Sequence, residues 1–127
     1  MAWAVQYVPE RETLVVVVTG PVSDDEVRDL TGRAISLISE THATRVLGDF
    51  RGMQSGPSFG AVFWLVNGYA DRGVPRQTRI ALVHSREQHA VELAQFYENV
   101  CFNRQYEARA FSDRAQAEAW LHSGATA

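Results

Sequence analysis

Apolar and polar residues alternate along Trp3–Val8, give way to the polar turn Pro9–Glu12, and then to Leu14–Thr19, where Leu and four consecutive Val leave almost no polar position. The alternating run predicts a strand with one wet face; the continuous β-branched run predicts a central strand buried on both faces. The short turn between them predicts an antiparallel hairpin. After Gly20 and Pro21 the period changes. Ser23 and Glu26 have the spacing of a capping box, and Asp24, Asp25 and Glu26 stand where a helix dipole favours acid. Val27, Leu30, Ala34, Leu37 and Ile38 then recur on one face of a first helix.

Arg45–Phe50 predicts a short third strand, followed by a small polar loop. A second helix follows with the stripe Phe59, Val62, Phe63, Val66 and Tyr69 or Ala70; Gly73 and Pro75 are its expected stop. Arg79–His84 is a fourth strand. Ser85 and Gln88 suggest another capping box, and Ala90, Leu93, Ala94, Tyr97, Val100 and Cys101 line a third helix. Tyr106–Phe111 alternates as an edge strand does. Ser112 is the expected cap of a last helix carrying Ala117, Trp120 and Leu121, and Ser123–Ala127 reads as a frayed tail. The order β-β-α-β-α-β-α-β-α predicts an α/β fold: an N-terminal β-hairpin, then βα units, in one mixed, mostly parallel sheet flanked by helices. The 127 residues fit one domain spanning the whole chain.

Composition removes several functions. A net charge of −3 supplies no basic field for nucleic acid or an anionic membrane. All 12 basic residues are Arg, so neither a P-loop lysine nor a Schiff-base lysine is present. The one cysteine, Cys101, allows no intrachain disulfide and no cysteine zinc cluster, and it reads as a small buried hydrophobe on the third helix. His42, His89 and His122 lack ligand spacing, so no metal and no other cofactor is expected. No signal-peptide pattern and no run long enough for a membrane span appears, which makes the cytoplasm the expected location.

The segments "VLGDFRGM" after the first helix, "RIALVHS" at the fourth strand and "YEARAFSDRAQAEAWL" at the end, in this order, resemble the STAS domains, and most of all the stand-alone bacterial STAS-like proteins with the SpoIIAA-like fold. The resemblance runs from Trp3 to Leu121. It implies a regulatory, non-enzymatic module that binds another protein. In STAS antagonists the third strand ends in an Asp, and a serine at the mouth of the next helix is phosphorylated by a partner kinase. Carried onto this chain, the resemblance sets Asp49 at the strand-end acid, Ser58 at or beside the phosphoacceptor and Gly60 at the motif glycine; Pro57 replaces an acid and Phe59 a small residue.

The residues themselves leave two readings of this loop open. A helix N-terminus presents unpaired N–H groups and partial positive charge, so Ser58 or Ser55 is either a plain cap or the seat of a phosphate or bound anion, with Arg51 near enough in sequence to assist. A catalytic reading gathers Asp49, His84 and one of Ser55, Ser58 or Ser85 at the carboxyl ends of neighbouring strands. The chain has no G-x-S-x-G elbow, and the expectation is no enzyme. Phe59, Phe63, Trp64 and Tyr69 cannot all face the core from one helix, which predicts an aromatic interface for a protein partner, most simply a homodimer through helix two. The alternative is a small hydrophobic ligand, by analogy with the lipid-transfer domains of the same fold class.

Overall fold

The hairpin forms where the pattern places it. In the computed structural model, which describes residues 3–123, β1 (Trp3–Val8) pairs antiparallel with β2 (Thr13–Pro21), from Trp3↔Val18 to Val8↔Thr13. A 3-10 turn at Pro9–Arg11 and Glu12, at φ 51, reverse the chain between them. Of the tail expected at Ser123–Ala127, residues 124–127 lie outside the described residues. β3 (Arg45–Ser55), β4 (Arg79–Val83) and β5 (Glu107–Phe111) join β2 in parallel, giving the order β1-β2-β3-β4-β5. Helices α1 (Asp24–Thr41), α2 (Phe59–Asn67), α3 (Gln88–Asn103) and α4 (Arg114–Leu121) flank this mixed, mostly parallel sheet.

The middle strand is β3, not β2, and β2 is not buried on both sides. Leu14, Val16 and Val18 are buried, whereas Val17 is 38% exposed. The cause is an uneven division of the helices. Val62 and Val66 of α2 and Leu93 of α3 pack with Ile80 of β4, and Val27 and Leu30 of α1 pack with Val16 and Val18. Adjacent strand residues point to opposite faces, so the other face belongs to α4, whose Ala117 and Leu121 meet Leu47, Ala81 and Val83. α4 lies over β3, β4 and β5 and leaves Val17 on the outer face of β2 open to water.

Other boundaries move for local reasons. β3 runs on to Ser55 because its second half pairs with Thr19, Gly20 and Pro21 through two register shifts. Gly52 permits that approach: an added Cβ would stand 2.9 Å from Thr19 Cγ2. β4 stops at Val83, opposite Asp49, so Asp49 sits within β3 rather than at its end. α2 ends at Asn67 with Gly68 as its cap, ahead of the expected stop at Gly73 and Pro75. The capping box of Ser23 and Glu26 forms, but Glu87 rather than Ser85 caps α3, and Asp113 rather than Ser112 caps α4. In both cases a longer acceptor one or two residues on reaches the free N–H groups. Cys101 is fully buried on α3, and burial pushes its thiol up to about 12.

Candidate functional site

The connection between β3 and α2 is short, Gly56–Ser58. Gly56 passes close to the core: an added Cβ would lie 2.9 Å from Met53 Cε and 3.0 Å from Leu93 Cδ2. Pro57 is buried, and Ser58 emerges as the exposed N-cap of α2, its Oγ accepting the Ala61 N–H at 3.1 Å. The same serine also reaches across to α1. Its backbone N–H donates to Asp24 Oδ1 at 2.7 Å and its hydroxyl to Asp24 Oδ2 at 2.9 Å. Asp24 is the first residue of α1, so one carboxylate stands between the N-terminal ends of two helices, where both dipoles favour negative charge. The bond from the Ser58 N–H, and then that from its hydroxyl, hold the Asp24 carboxyl below the usual carboxylate range. Where the pattern suggested a helix end free for an anion, the chain supplies the anion itself.

The structure does not bring the five loop candidates together. Asp49 is buried on the opposite face of the sheet, that of α4, where Arg114 Nη1 donates to its Oδ2 at 3.1 Å. Arg51 clamps the same carboxylate with Nε at 2.9 Å and Nη2 at 2.7 Å, and its own backbone N–H adds a third bond. The Arg51 guanidinium, first of all, holds the Asp49 carboxyl below its ordinary range; Arg114 adds to this. Arg51 is therefore a partner of Asp49 rather than an assistant to Ser58. Ser55 ends β3, and its carbonyl accepts the Val22 N–H at 2.8 Å. Gly60 has room for a side chain, with only Ser58 Oγ near an added Cβ, at 3.9 Å.

On α2, Val62 and Val66 seal the helix to the interior, and the aromatic residues divide. Trp64 is 73% exposed, and Phe59 and Phe63 are about half as open. Phe63 meets Trp64 edge to face at 5.7 Å, and Phe59 lies over Phe96 of α3 at 5.0 Å. Tyr69 leaves this group. It is buried beyond the end of the helix, its hydroxyl 2.8 Å from that of Tyr97, and its ring stands edge-on to Tyr106. Between the sheet and α1–α3 lies an apolar cavity of about 140 Å³.

The catalytic relay is not assembled. His84 Nδ1 donates to the Ser85 carbonyl at 2.8 Å, and the side-chain bonds of Asp49 all go to arginine or to the Arg51 backbone. Sequence reasoning missed Asp24 as a member of the site. Its signal was the acidic run Asp24–Glu26, which the helix dipole already accounts for.

A family model described as SpoIIAA-like matches residues 13–122. No curated protein matches the chain. Solved structures that share the fold include an uncharacterised protein of the DUF3478 family from Shewanella loihica PV-4, described as having a SpoIIAA-like fold; it is 16% identical, with a TM-score of 0.60 and 94% of each chain covered. The anti-sigma factor antagonist SpoIIAA in its unphosphorylated form is 15% identical, with a TM-score of 0.62, over 97% of this chain and 100% of that one. The Bacillus cell fate determinant SpoIIAA in its phosphorylated form is 17% identical, with a TM-score of 0.58, over 94% of this chain and 99% of that one. At these identities the likeness concerns the fold.

Proposed function

This chain belongs to the SpoIIAA-like family, and from that premise we propose that it is a cytoplasmic, non-enzymatic regulatory module that binds another protein through Ser58 and the exposed face of α2. The observation that carries the reading is the clasp between Asp24 and Ser58, placed beside the open aromatic side chains of Phe59, Phe63 and Trp64. Unmodified Ser58 donates its hydroxyl proton to Asp24 and ties the start of α2 to the start of α1. Phosphorylation removes that proton and adds a charge of about −1.5 to −2 beside a carboxylate. The α2 dipole favours the phosphate, but the two anions repel at contact distance, so the phosphoserine displaces Asp24 and unties the helices. That SpoIIAA itself is described in phosphorylated and unphosphorylated forms supports this reading.

The exposed aromatic face supports a partner surface, and a second copy of the chain is its simplest occupant. The test is affinity capture from the native host with wild-type protein, Ser58→Ala and Ser58→Asp, each confirmed as folded by circular dichroism. The switch requires a partner held by wild type and lost with Ser58→Asp; equal capture by all three removes it. The failure of His84 and Asp49 to meet supports the non-enzymatic part. A second reading, a small apolar ligand, is supported by the cavity between the sheet and the helices.

A further inference from the structure

The two edges of the sheet are finished differently. At β5 the Ala110 N–H, which points away from β4, donates to Glu98 Oε2 of α3 at 2.6 Å, so a neighbouring helix closes that edge. Nothing does the same for β1. Its six residues pair with β2 in an unbroken register, and no other hydrogen bond among the described residues reaches the backbone of Trp3–Tyr7. Every second residue of such a strand turns its N–H and C=O outward, where only water or another extended backbone can pair with the whole row.

The side chains of β1 set what an added strand meets. Trp3, Val5 and Tyr7 lie on the α1 side of the sheet, yet each stays half-buried. Ala4 and Gln6 face the other way and are exposed. A strand laid beside β1 continues both rows: its apolar residues cover the surface that Trp3, Val5 and Tyr7 leave open, and its alternate residues stay in water. A second copy of the chain fits this edge poorly. Twofold antiparallel pairing sets two β1 strands about 4.8 Å apart with both α1 helices on one face, and α1 lies over β1 more than over β2. The two helices then come closer than the separation of about 8–10 Å at which helices pack. A bare extended segment brings no helix with it.

We propose that β1 is a strand-addition site, along which an extended segment of a partner protein pairs with Trp3–Tyr7, its apolar residues at every second position on the α1 side. The site is separate from Ser58 and the α2 face, and it does not rest on their role.

The test titrates the full chain with a short synthetic peptide of alternating valine and threonine, closed by lysine at each end for solubility, and follows backbone amide shifts by NMR. Two isomers, N-methylated on the valine amides or on the threonine amides, are the controls. Alternate amides of a strand face opposite edges, so one isomer keeps its bonds to β1 and the other loses them. The parent peptide is expected to shift Trp3–Tyr7 at about millimolar concentration or below. One isomer is expected to bind about tenfold or more weakly than the other, since several backbone bonds are lost at once. No shifts at Trp3–Tyr7, shifts centred on Phe59, Phe63 and Trp64 instead, or equal binding of the two isomers overturns the proposal. Hydrogen exchange of the chain without peptide tests the other occupant. Protection of the Trp3–Tyr7 amides that rises with protein concentration assigns the edge to a second copy and also overturns the proposal; exchange independent of concentration is the result that a partner's strand requires.

Discussion

Ser58 gives both of its donors to Asp24, the backbone N–H at 2.7 Å and the hydroxyl at 2.9 Å, across 34 residues of sequence. Because the same hydroxyl oxygen accepts the Ala61 N–H, Ser58→Ala loses the cap and one arm of the clasp together. We expect a cost of about 1 kcal/mol in urea unfolding. Ser58→Asp restores a cap acceptor but faces Asp24 with a like charge, and is expected to be less stable than Ser58→Asp combined with Asp24→Ala. A double mutant no more stable than Ser58→Asp alone would show that the two acids do not confront each other.

Asp49 carries an acid-sensitive part of the stability. The folded chain holds this carboxyl below its ordinary value, so the unfolded chain binds its proton more readily. The contribution is complete above the ordinary carboxylate range and is lost as pH falls below about 4. Asp49→Asn is expected to cost about 1–3 kcal/mol at pH 7, since charge-assisted hydrogen bonds to a buried carboxylate are weakened, and much less at pH 3. Equal costs at both pH values, measured by urea unfolding, would remove the ion pairs with Arg51 and Arg114 as the cause.

Val16 and Val17 are neighbours with opposite surroundings, 4% and 38% exposed. Val17→Thr is expected to change stability by no more than about 0.5 kcal/mol, as at other surface sites. Val16→Thr places a hydroxyl without a partner under α1 and is expected to cost about 1–3 kcal/mol. Thermal unfolding of the two variants would rank them at once, and a reversed ranking would contradict the placement of α4.

Trp64→Arg tests the aromatic face. The wild type is expected to sediment as a dimer and the variant as a folded monomer, because Trp64 contributes little to the interior. A wild type that is already monomeric at tens of micromolar, an order-of-magnitude limit for a weak interface, would leave that face to a different protein.

The alternation of Trp3–Val8, the capping box at Ser23 and the stripe of α3 carried the element order, because each is a local rule written in consecutive residues. What failed depended on neighbours distant in sequence. Four valines in a row look the same whether or not a helix covers the second face, and the exposure of Val17 was decided by where α4 lands. Tyr69 continued the periodicity of α2, yet the helix closes at Gly68 and turns that ring inward to Tyr97. Asp24 stood only in the acidic run that opens α1, which the helix dipole already explains. It acquires its role from Ser58, which it meets only in the folded state.

The strand order leaves β1 and β5 as the two outer edges of the sheet. β5 guards its edge with Glu107 and Arg109, charges that resist pairing with a foreign strand. β1, with the sequence WAVQYV, carries no charge, no proline and no glycine along its six residues. Such a segment is a template for cross-β growth whenever it is open. In a concentrated or heat-stressed sample, aggregation therefore starts from the hairpin edge, and a single lysine in place of Gln6, whose side chain is already in water, supplies the missing gatekeeper.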